Sequence, residues 1–227
     1  MNRGTRHQSR RRAGRRIMAA WIFFGACFLL TMTGFFVAMG RLDQEGVKEK
    51  GGTVVDKDSL TEEERNGKEP LFLQTDERWK NISYGQSTIS EAGCAPACLA
   101  MVIVALTGNR DITPQQVAKY SETCGYYEAG QGTRWTLISE GSREYGLQAA
   151  ELPLSESRMI QTLEEGGRII CAMRPGDFTT EGHFIELYGY DDEGFRVHDP
   201  NSLERSRRLW KYSELEWQIR NLWGLWY

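Results

Sequence analysis

The chain has 227 residues, with 28 lysines and arginines against 31 aspartates and glutamates, and five cysteines. The near-neutral total hides an asymmetry: the first 40 residues hold seven arginines and no acid, while residues 41–227 hold the other 21 basic residues and all 31 acidic ones, a net of about −10. Such acidity argues against nucleic acid as the partner of the folded part, and a domain of this size has core enough not to need disulfide staples.

Residues 1–16 are a basic tail, expected in the cytoplasm. Ile17–Met39 follows, 23 residues without a charge. As a helix it is about 34 Å long, enough to span a hydrocarbon core of about 30 Å. The arginines before it place the later chain outside the cell, by the positive-inside rule. A cleaved signal peptide is the rival, but its apolar segment usually spans only about 7–15 residues. A single-pass membrane protein with an extracellular C-terminal domain is therefore expected. Residues 40–69, charged and poor in apolar side chains, read as a flexible stalk.

From residue 70 the aromatic and apolar content rises, and residues 70–227 read as one domain. A helix is predicted from Cys94 through "ACLAMVIVAL", apolar almost all round as a buried helix is, and closed by Gly108. Thr113, Pro114 and Gln116 form a capping box for a second helix. "GTRWTLISEGSREYG" predicts a third and "SESRMIQTLEEGG" a fourth. The period then switches to two: "RIICAMR", "GHFIELYGY" and "GFRVHDP" predict strands, the last two joined at "DDEG". "YSELEWQI" predicts a helix capped by Ser213 and Glu216, and "NLWGLWY" a last strand. Helices first and an antiparallel sheet afterwards make an α+β domain.

Cys94 is the residue with chemistry to offer. It follows Gly93, read as a turn glycine, and opens a helix whose free N–H groups favour a thiolate. Cys98, one turn deeper, is expected to be buried and inert, and its Cβ vector runs parallel to that of Cys94, which disfavours a disulfide between them. A nucleophilic thiol needs a base, and from residue 70 on there are two histidines, His183 and His198. Side chains alternate along a strand, so if Asp199 orients His183 across the hairpin, His198 faces away.

"GCAPACLAMV", "GHFIELYGY" and "DPNS", with "LQTDERW" and "YGQSTI" upstream, resemble the bacteriocin-processing peptidases and their wider set of bacterial peptidase-like domains, in the papain-like cysteine peptidase superfamily. The resemblance covers about residues 71–227. It implies a papain-like fold with Cys94 as nucleophile, His183 as general base and acid, Asp199 as the group that holds the imidazole, and a thioester acyl-enzyme formed on a peptide or protein substrate. It also implies an oxyanion hole of the Cys94 N–H and a glutamine before the cysteine. The family's glutamine lies six residues upstream of the cysteine, where this chain has Thr88, leaving Gln74 as the preferred candidate and Gln86 as the other. Ala95 replaces the usual glycine, and Cys98 a common hydroxyl residue. No transporter segment is read, so the double-glycine leader substrate of the transporter-linked enzymes is not implied. No cofactor or metal is expected: no glycine-rich phosphate loop and no zinc-like Cys/His spacing occurs. Trp79 reads as a core anchor, and Arg205, Arg207 and Arg208 as a solvated edge. The rival readings are an inactive peptidase-like domain that binds peptides, and thiol–disulfide exchange by Cys94 with Cys124 or Cys171.

Overall fold

The computed structural model of the protein describes residues 60, 61, 64 and 67–227. The basic tail, the apolar run 17–39 and the stalk up to residue 59 lie outside the described residues. Among the described residues no helix is long and apolar enough to cross a membrane.

The described fold is α+β. A hairpin, β1 (Ser83–Tyr84) and β2 (Ser87–Thr88), leads into a short helix, α1 (Ile89–Ala92), and then the long helix α2 (Cys94–Thr107). Next come α3 (Pro114–Thr123), a second hairpin of β3 (Tyr127–Glu128) and β4 (Gly132–Thr133), α4 (Thr136–Ser139) and a 3₁₀ turn at Gly141–Tyr145. The chain continues through β5 (Gln148–Glu151), α5 (Glu156–Glu164), β6 (Arg168–Met173), β7 (His183–Asp191) and β8 (Gly194–His198). It closes with α6 (Leu203–Ser206), β9 (Leu209–Trp210), α7 (Tyr212–Leu215) and β10 (Ile219–Trp226). Six strands form one antiparallel sheet in the order β5-β10-β6-β7-β8-β9.

Alternation along the strands divides the core between the two faces of the sheet. Ile170, Ala172 and Phe184 join the cluster built around α2, while Ile169, Cys171, Met173, Ile185 and Leu187 join the cluster that includes Met159 of α5. All ten residues from Ala95 to Val104 are buried. Leu99 and Ile103 each stabilise this packing by roughly 2 kcal/mol. Gly108 ends α2 in the left-handed conformation, at φ 71°. The capping box of α3 is present, with Thr113 N–H donating to Gln116 Oε1 at 2.8 Å and Gln116 N–H to Thr113 Oγ1 at 3.3 Å.

The structure corrects several expectations. The predicted third helix is broken into α4 and the 3₁₀ turn at Gly141, where a Cβ would come within 3.0 Å of the Tyr126 ring. The helix cap expected at Ser213 and Glu216 lies two residues earlier: α7 starts at Tyr212, and Lys211 N–H donates to Glu214 Oε2 at 2.8 Å. The folded unit also begins before residue 70. Leu60 is 4% exposed within the α2-side cluster, Glu64 accepts two hydrogen bonds of 2.7 Å from the Arg78 guanidinium, and Arg168 pairs with Glu69. Leu60 thus gives an apolar side chain to the core, and Glu64 and Glu69 give their carboxylates to arginines held there.

Candidate active site

Cys94 is the first residue of α2 and is partly exposed. Its N–H belongs to the first turn, where a helix has no carbonyl of its own to accept it. Gly93 before it has an ordinary φ of −86°, so conformational freedom is not what requires glycine there. Space is: a Cβ would lie 2.4 Å from the Ile89 carbonyl oxygen and 2.6 Å from Ile89 Cγ2. Cys98 is fully buried, and burial, reinforced by the neighbouring Cys94 sulfur, pushes its pKa well above the usual thiol value. Cys94, Cys98, Cys124 and Cys171 are all free thiols.

His183 starts β7 and is 7% exposed. Its Nε2 lies 2.8 Å from Asp199 Oδ1, and Cys94 lines the same cleft as the ring, close enough for its sulfur to bear on the imidazole's charge. The structure therefore brings together sulfur, imidazole and carboxylate. Burial alone works to lower the imidazole pKa. The hydrogen bond to Asp199, then the nearby Cys94 sulfur and the Asp199 charge, outweigh it and raise the value from 6.5 to about 9.

Asp199 is completely buried. It lies just past β8 in "DPNSLERS", whose turns fold back on the carboxylate. Asn201 N–H donates to Oδ1 at 2.8 Å, an Asx turn, and the Arg205 Nε donates to Oδ2. Arg205 reaches it from α6, which is capped by Ser202 Oγ accepting from Arg205 N–H at 3.1 Å. Burial by itself raises the Asp199 pKa. The hydrogen bond and charge of His183, then Arg205 and the Asn201 N–H, hold it below the usual carboxylate value of 3.8. Arg205 is thus no member of a solvated edge, as the arginine-rich stretch had implied. Ser202, a helix-capping type just before "LERS", was the signal that could have found it.

Gln74 is 4% exposed and ties the two walls of the site together. Its N–H donates to Pro200 O at 2.7 Å, beside Asp199, and its Nε2 donates to Ser90 O at 2.6 Å, in α1 just before Cys94. Its Oε1 is buried without a hydrogen-bond partner. Gln86 lies exposed between β1 and β2, with its N–H donating to Tyr127 Oη. Trp79 is fully buried and donates to Leu73 O at 2.8 Å, the core anchor expected of it. His198 has a different partner: its Nδ1 lies 3.0 Å from Glu186 Oε2.

Cys94 and His183 open onto a cleft of about 520 Å³. Its walls include Tyr127, Trp135, Met173, Phe184 and Arg220. No group of three or more His, Cys, Asp or Glu side chains that could hold a metal occurs among the described residues.

A thiol at a helix start, sharing a cleft with an imidazole at the start of one interior strand and a carboxylate just past the end of its neighbour, is the arrangement of a papain-like peptidase domain. Residues 70–224 match the Peptidase_C39 like family, and the chain belongs to it. No curated protein matches the chain. Among solved structures, the peptidase domain of Streptococcus ComA, a bi-functional ABC transporter involved in a quorum-sensing pathway, is 16% identical, with 60% of this chain and 90% of that one covered at a TM-score of 0.45. A putative C39-like peptidase from Bacillus anthracis is 14% identical, with 71% and 94% covered at a TM-score of 0.44.

Proposed function

We propose that this protein is a membrane-anchored cysteine peptidase or amidase whose catalytic domain lies outside the cell. The reading is carried by the His183 ring, which lies 2.8 Å from the Asp199 carboxylate and opens with the Cys94 thiol onto one cleft. The Cys94 thiolate attacks the carbonyl carbon of a peptide bond in a peptide or protein substrate. The resulting oxyanion is met by the Cys94 N–H and by Gln74, whose amide has a second N–H beyond the one given to Ser90. The His183 imidazolium gives its proton to the departing amine, leaving a thioester. Water then attacks the thioester while His183 takes its proton, and the acid leaves with the thiolate restored. Asp199 keeps the imidazole oriented and stabilises its charge throughout. The anchor is the apolar run 17–39, and the arginines before it set the orientation.

Alkylation tests this reading. Iodoacetamide at pH 6–7 is expected to modify Cys94 of the full chain fast and selectively, with exposed Cys124 as the internal reference, and the advantage is lost in His183→Ala. Equal, slow labelling of Cys94 and Cys124 would instead make the domain a peptide-binding module without catalysis. Added proteases that cannot cross a membrane test the topology: they remove the domain from intact cells if it faces outward.

A further inference from the structure

The cleft has a feature that bond cleavage does not require. Strand β10 pairs with β6 through Ile219↔Met173 and Asn221↔Ala172, so Arg220 is an extra residue, a bulge in the strand. Bulges re-aim a side chain, and this one lines the cleft. Its guanidinium lies 5.2 Å from the centre of the Trp135 ring, which is 37% exposed and braced edge-on by the buried Trp223 at 5.4 Å. Arg220 has no carboxylate partner among the described residues, whereas Arg78, Arg168 and Arg205 each have one.

The sheet also gives its distance from the chemistry. Met173 pairs with His183 on one side and with Ile219 on the other, so the bulge is two strands from the histidine. Two strand spacings are about 10 Å, which an extended peptide covers in about three residues. The other cleft carboxylates, Glu91 and Glu181, belong to α1 and to the loop before His183, while Glu151 lines an adjoining hollow beside Arg220 and Trp135. Glu91 is engaged by the Ser87 hydroxyl at 2.5 Å.

We infer that Arg220 on the Trp135 platform is a specificity subsite for a carboxylate of the substrate, about three residues from the bond that is cut. The inference rests on the proposed peptidase reading. An aromatic plane beneath a guanidinium holds it flat for a bidentate carboxylate, a geometry lysine does not provide. The carboxylate is either an Asp or Glu side chain or the chain terminus of a short peptide.

Protection of Cys94 in the full chain from iodoacetamide tests this. Three pools of random hexapeptides are compared: one with a fixed Glu and an amidated terminus, the same with Gln, and an acid-free pool with a free terminus. The Glu pool is expected to protect at concentrations about tenfold lower than the Gln pool, the worth of one charge-assisted contact. Superior protection by the free-terminus pool alone assigns the subsite to a terminal carboxylate. Either advantage disappears in Arg220→Met and persists in Lys119→Met, which removes one charge from exposed α3. Fast, His183-dependent alkylation with no preference among pools, or a preference that survives Arg220→Met, overturns the subsite and leaves the peptidase reading standing. Slow, His183-independent alkylation overturns both.

Discussion

The domain carries two histidine–carboxylate pairs on the β7–β8 hairpin, and they differ in what surrounds them. His183 and Asp199 meet at 2.8 Å, and His198 and Glu186 at 3.0 Å; all four side chains are buried. Around His183 the spare groups are used: the ring shares its cleft with the Cys94 thiol, and Arg205 and the Asn201 N–H fill the remaining acceptor positions of Asp199. Around His198 they are not. Its ring stacks on Tyr188 at 3.9 Å, and Glu186 Oε1 has no hydrogen-bond partner. The first pair opens onto the cleft and the second does not line it, so similar pairs give a candidate catalytic apparatus in one place and a buried structural contact in the other.

Breaking the first pair is expected to have the largest effect. Cys94→Ala or His183→Ala lowers peptide turnover by at least about 10³-fold while the protein still folds, read by turnover of a fluorogenic peptide mixture against a circular dichroism control. Gln74→Ala follows with about 10²-fold, the usual loss of one oxyanion donor. Breaking the second pair acts on stability instead. His198→Ala strands the Glu186 carboxylate in the interior and costs about 3–5 kcal/mol in urea unfolding, while the alkylation rate of Cys94 in the folded protein stays at its wild-type value. The double change His198→Leu with Glu186→Leu costs less than the single one, because no unpaired charge is left. A loss of Cys94 reactivity in His198→Ala would erase the division of labour between the pairs.

Arg205 sharpens the contrast, since Glu186 has no guanidinium bonded to it among the described residues. Arg205→Met removes a charged hydrogen-bond donor from a completely buried carboxylate and is expected to cost about 2 kcal/mol in urea unfolding. Arg205→Lys restores only part of this, because the Nε contact depends on the planar fork.

These features were unequally legible in the sequence. The period-two runs after residue 168 and the capping residues of α3 reflect local rules, and they recur in the structure. His198 and Asp199, adjacent in the chain, also take different partners, Glu186 and His183. Arg205 was misread because three arginines within four residues resemble a solvated edge, while its partner is fixed by a turn and a four-residue helix too short to leave a periodic signal. Arg220 was invisible for a related reason: a bulge depends on the register of β10 against β6, which no residue of β10 declares by itself. The place of residues 60–69 depended on distant arginines at 78 and 168. Contacts across tens of residues are what composition cannot convey.

The smallest expected effect is a dependence of stability on pH, and its sign differs for the two members of the first pair. His183 has a folded pKa raised above the ordinary 6.5, so the stability it contributes is fully present below about 6.5 and is lost as pH rises towards 9. Asp199 has a folded pKa depressed below 3.8, so its contribution is present above that value and is lost as acid titrates the carboxylate through its lower folded pKa. Measured in Cys94→Ala, where the thiol's own titration does not enter, the unfolding free energy is expected to be highest between about pH 4 and 6.5. It then declines on the alkaline side by the share of the His183 shift that Asp199 supplies. Adding Asp199→Asn removes the carboxylate that holds the imidazolium, and the alkaline decline goes with it. An alkaline decline that persists unchanged in this second variant would mean that another group titrates there, and that Asp199 does not hold the charge on His183.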